Sequence, residues 1–139
     1  MSDAKPRSGS RRQTYSIKRE LIAKSRESAL TAVQVFNNPL IQFKSETFIM
    51  LMVVAWTYML HAYYRANDIE YRYFDQGPNR RKFHRTQRGA FKYWELERCL
   101  NDSKSPIDKY TANNLQWYWY EKWLKHVRKF CSDNKGRFS

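Results

Sequence analysis

Glycine and proline are scarce in this chain, with four of each among 139 residues. A turn-rich all-β sandwich needs many special backbone positions, and so few glycines exclude it. Acidic residues are also few: 13 Asp and Glu stand against 26 Lys and Arg, a formal charge of +13. Such an excess repels itself when compact and attracts polyanions. Nucleic acid, an anionic membrane surface and an acidic partner protein are the counterparts this charge admits. The two cysteines, Cys99 and Cys131, have no paired spacing. That excludes a zinc ribbon and a CxxC redox motif, and lone thiols suit a reducing compartment. No Walker A loop, GxGxxG, HExxH or GxSxG is present, so no cofactor, no metal and no catalytic residue can be assigned from motifs. The N-terminus lacks the apolar segment of a signal peptide, which points to the cytoplasm.

What is present is apolar and aromatic. Hydrophobic residues make up 42% and aromatics 17%, too much for a chain disordered throughout. One domain is expected over residues 14–131. A basic tail over 1–13 should stay unfolded, and 132–139 should fray. The plain reading of the tail is a solvated arm; the sharper one has Lys5, Arg7, Arg11 and Arg12 touching a polyanion.

A first helix is predicted from Ser16 to Phe36, with Ile22, Ala29, Val33 and Phe36 on one stripe. Asn37-Asn38-Pro39 ends it, because proline disfavours helical backbone at the residue before it. A second helix should follow Ser45 as N-cap, with Glu46 placed to suit the helix dipole. Residues 47–64 carry no formal charge, and their length reaches the lower edge of a membrane span. Polar groups interrupt the run, and Trp56 sits mid-segment rather than at an interface. The reading is a buried central helix, with Phe48, Leu51, Ala55 and Tyr58 on the first helix; the alternative is a membrane span.

Residues 68–74 alternate, with Ile69, Tyr71 and Tyr73 on one side and Glu70 and Arg72 on the other, as a short strand would. Gly77-Pro78-Asn79 signals a turn. Arg81 to Gly89 then either pairs back as a β-hairpin or stays a loop. A third helix is expected over Phe91 to Leu100. Ser105 and Pro106 read as N-cap and N1 of a last helix, with Asp108 at N3. That helix should reach Cys131, with Leu115, Trp119, Trp123, Val127 and Phe130 on its apolar face. The fold class is therefore mainly α, a helical bundle with a short β-hairpin insertion.

The cluster with most chemical content is RRKFHRTQRGAFK, residues 80–92. Arg80, Arg81, Lys82, Arg85, Arg88 and Lys92 supply positive charge with no acidic residue among them. Phe83, His84 and Phe91 lie between. Arginines contact phosphates, and aromatic faces stack on unpaired bases. The bland alternative is a solvated loop or a surface for a protein partner. His84 could move a proton at neutral pH, although neighbouring arginines would disfavour its imidazolium. His61 reads as a hydrogen-bonded core residue, and His126 could face either way.

The stretches Leu21–Arg65 and Tyr93–Leu115, with GPNRRKFHRTQRGA between, resemble the bacterial domain-of-unknown-function family numbered 3644. That family looks related to the HEPN helical domains, which include metal-independent RNases of toxin and defence systems and inactive RNA- or nucleotide-binding relatives. The resemblance implies a HEPN-like bundle in a defence context, RNA as a partner and a homodimer. HEPN RNases carry an Arg followed, after four to six residues, by a His on a late helix. Here that region reads QWYWYEKWLKHVRKF and offers only His126 with Lys122 and Arg128. Arg80 and His84 leave three residues between, one too few. The resemblance therefore transfers no catalytic residue; an RNase would need an unrecognised site at His84. The likeness stops abruptly after Leu115, as a truncated or frameshifted reading of a longer gene, an authentic short form or genuine divergence would make it.

Overall fold

The computed structural model describes residues 9–117 and, beyond them, Lys125, Lys129 and Ser132. The remaining tail positions, including Lys5 and Arg7, lie outside the described residues. So do Trp119, Trp123, His126, Val127, Phe130 and Cys131. The described chain is mainly helical: α1 (Gly9–Asn37), α2 (Lys44–Ala66), β1 (Phe74–Gln76), β2 (Arg81–Phe83), α3 (Leu96–Asn101) and α4 (Lys109–Gln116).

Helix α1 begins at Gly9, well before the expected Ser16, and stops at Asn37 beside Pro39. The Asn38 side chain turns the chain by accepting the Leu40 N–H at 3.0 Å. Helix α2 then runs back along α1. Phe36 meets Phe48 near the turn, with ring centroids 5.3 Å apart. Further along, the Ser25 hydroxyl donates to the Ala55 carbonyl at 2.7 Å.

That hydrogen bond shows how the hairpin of helices packs, and it corrects the expected stripe. Ser25 and Ala32 are buried, while Ile22, Val33 and Phe36 are about half exposed. The small side chains let the two backbones approach closely, so the larger ones are pushed to the flanks. Ser45 is not the N-cap of α2 either; Phe43 holds that place without a side-chain bond, and Glu46 lies in the first turn.

The principal core lies at the other end of α2. Leu60 and Tyr64 pack with Tyr71, Trp94, Cys99, Leu100 and Ala112, flanked by Ile69, Tyr73, Leu96, Ile107 and Leu115. The Tyr64 hydroxyl donates to the Cys99 carbonyl. Helix α2 leaves for this core through a left-handed Asp68 (φ 54°). Ile69 N–H bonds the Tyr64 carbonyl at 2.9 Å and Asp68 N–H bonds that of Arg65, closing the helix end.

The predicted third helix starts five residues late. Phe91 to Tyr93 are extended, with Phe91 bridged to Arg85 and Tyr93 to Arg72. Phe91 is drawn into the hairpin and Trp94 into the core, which leaves α3 only Leu96–Asn101. The last helix is capped by Asp108, whose carboxylate accepts the Thr111 N–H at 3.0 Å. Ser105, expected as that cap, instead accepts the Ile107 N–H in the turn before it.

Candidate nucleic-acid interface

The hairpin has very short strands, paired in register Phe74–Phe83, Asp75–Lys82 and Gln76–Arg81. Two turns shape it, each resting on a glycine. At Gly77 a Cβ would come within 2.6 Å of the Arg80 carbonyl oxygen. Gly89 sits at φ 83°, a conformation other residues adopt only with strain. A ring of backbone hydrogen bonds fastens the third segment. Tyr73 N–H donates to Lys92 at 2.9 Å, Lys92 N–H to His84 at 3.0 Å, and His84 N–H to Tyr73 at 2.8 Å.

Alternation along the strands then sorts the side chains. On one face arginines and phenylalanines interleave. The Arg81 guanidinium lies 4.9 Å from the Phe74 ring centre. Phe74 meets Phe83 edge-on at 5.9 Å. Arg72 covers both Phe83 at 4.1 Å and Phe91 at 4.8 Å. Arg85 covers Phe91 at 3.9 Å and donates to the Gly89 carbonyl at 2.7 Å. Guanidinium planes fixed on aromatic faces have already lost much of their rotamer freedom, so less is lost when they bind an anion.

On the other face the His84 ring stacks beside Tyr73, and its Nε2 lies 3.0 Å from an Asp75 carboxylate oxygen. The Tyr73 hydroxyl donates to Glu95 at 2.6 Å, and burial helps push its pKa to about 12. Arg80, Arg81, Lys82, His84, Arg85, Arg88 and Lys92 are all exposed. The fold thus gathers the whole sequence cluster onto one hairpin module.

Arg72 is the member that sequence reading missed. Its guanidinium holds the Glu70 carboxylate at 2.7 and 2.8 Å, and that hydrogen bonding keeps the Glu70 pKa below its usual range. The spacing of Glu70 and Arg72 put them on one strand face. Only the return of Phe83 and Phe91 shows what Arg72 covers.

The two described histidines, His61 and His84, do not converge. His61 is buried, with Nε2 2.7 Å from the Trp94 carbonyl, so that nitrogen donates there. Burial also pushes the Cys99 thiol up to about 12, which makes it a poor nucleophile. Among the described residues no three His, Cys, Asp or Glu side chains gather to hold a metal ion.

Residues 20–118 match the family described as a domain of unknown function (DUF3644). The chain belongs to that family. The match covers α1 from Glu20, the α2 core, the whole basic hairpin, α3 and α4, so the hairpin is part of the DUF3644 domain. No curated protein and no solved structure matches.

Proposed function

We propose that this DUF3644 domain binds single-stranded RNA through its basic hairpin, as a HEPN-like domain in a bacterial defence context. The arginine–phenylalanine face carries the reading. Arg72, Arg81 and Arg85 lie over phenylalanine rings, and Arg80, Lys82, Arg88 and Lys92 add exposed charge to the same hairpin. Oriented guanidinium groups beside exposed cations suit a backbone whose phosphates are regularly spaced and whose bases offer flat faces. The same reading makes the chain cytoplasmic, with α2 as a core helix and a homodimer as the form to look for by light scattering.

Salt titration tests it. Binding to an unstructured RNA should weaken steeply as salt rises, through counterion release. Changing Arg80, Arg81, Arg85 and Arg88 together to Gln should weaken binding to many sequences alike and flatten the salt slope. Unchanged affinity in that variant would end the reading. Cleavage of the RNA that disappears on changing His84 to Ala would replace binding with an RNase site at His84.

A further inference from the structure

Beside the hairpin lies an open cleft of about 750 Å³. It is bounded by the end of α2, the strand entering the hairpin, and the turn after α3. Arg65, Arg72, Arg81, Arg98 and Lys104 line it, against Asp68, Glu70 and Asp102. Glu70 and Arg72 neutralise each other. Asp102 is engaged in its own turn, where its carboxylate accepts the Lys104 N–H at 3.0 Å. Within the described residues Arg65, Arg81, Arg98 and Lys104 form no ion pair. Arg81 and Arg98 lie over the rings of Phe74 and Trp94, each 4.9 Å from the ring centre. Arg65 has its Nε buried without a hydrogen-bond partner. Tyr93, about half exposed, offers a ring on the same wall.

We propose that this cleft receives the terminal phosphate monoester of a single RNA strand whose backbone the hairpin follows. The proposal rests on reading the hairpin as an RNA surface and adds a second, concave site to it. A phosphodiester inside a strand carries one charge and suits a flat face. A terminal monoester carries about −1.5 to −2 near neutral pH and three acceptor oxygens. Several cations around a concavity match that group better than they match a passing backbone. Arg72 and Arg81 belong to both surfaces, so the arginine–phenylalanine face and the cleft adjoin. Tyr93 gives the last base a ring to stack on.

The test uses the full chain and one short unstructured RNA, labelled internally, with a 5′-phosphate, a 3′-phosphate or hydroxyls at both ends. One of the phosphorylated forms should bind roughly tenfold more tightly than the hydroxyl form, the effect of one added charge-assisted contact. Arg98→Gln with Lys104→Gln should erase that advantage and leave the affinity of the hydroxyl form unchanged. Arg85→Gln with Arg88→Gln should weaken all three forms alike. Equal affinity of the three RNAs, or an advantage that survives in the Arg98/Lys104 variant, overturns the cleft while the hairpin reading stands. Absence of binding by any RNA overturns both. Adenosine monophosphate bound as tightly as the phosphorylated strand would make the cleft a free-nucleotide site and overturn the strand-end assignment.

Discussion

His61 shows how one residue ties the core to pH. Its ring is buried beside Tyr71, with centroids 4.8 Å apart, and donates to the Trp94 carbonyl. Burial holds its pKa below the ordinary 6.5, and the hydrogen bond to Trp94 opposes that shift without reversing it. The unfolded chain therefore takes up the proton first. This contribution to stability is complete above about pH 6.5 and is lost as pH falls toward the folded value. The urea midpoint should drop between about pH 7 and pH 5, before Glu70 begins to titrate. His61→Gln, which does not titrate, should give a flatter profile; an equally steep one would place the sensitive group elsewhere.

At the scale of elements, the two ends of α2 differ in how they are held. Leu60 is 1% exposed and sits in the main core, whereas Ile22 on α1 is 49% exposed. Leu60→Ala should cost about 2–5 kcal/mol through the cavity it leaves, and Ile22→Ala less than about 1 kcal/mol. Thermal denaturation of the two variants checks that order. The hairpin depends on its turns instead. Gly89→Ala forces a side chain into left-handed backbone and should cost about 1–2 kcal/mol. Its effect should appear as faster amide exchange at Thr86 and Ala90, which bond across that turn, and as weaker RNA binding, with α1–α2 unaffected.

Across the whole molecule, α2 is the shared element. Its first half packs on α1 and its last turns build the core that carries the hairpin. The helix is apolar enough to cross a membrane by length and composition, with 28% of that window buried. Yet its neighbour α1 carries Glu20, Lys24, Arg26 and Glu27 on the stretch facing the second half of α2, and Lys24 reaches over the Tyr58 ring. Each such charge would cost roughly 2.5–3.5 kcal/mol at a bilayer centre. Expressed protein should therefore be recovered in the carbonate-soluble fraction. Resistance to carbonate extraction would favour the membrane span over residues 47–64.

The sequence by itself determined the helical class, the break at Pro39, the alternation of Ile69, Tyr71 and Tyr73 toward the core, and the basic hairpin cluster. These follow from local rules: proline geometry, strand periodicity and charge density act over a few residues. Tertiary structure decided which side chains share a face. Ser25 and Ala32 are buried where Ile22 and Val33 stay half exposed, because close backbone approach rewards small groups that a hydrophobicity pattern overlooks. Phe91 left its expected helix because Arg72 and Arg85 hold its ring and Lys92 closes the backbone ring. Asp108 displaced Ser105 as a cap once Ser105 was used in a turn. The charged cleft draws Arg65, Arg81, Arg98 and Lys104 from four separate segments, and no local pattern links residues whose proximity arises only when α2, the hairpin and the turn after α3 pack around Trp94.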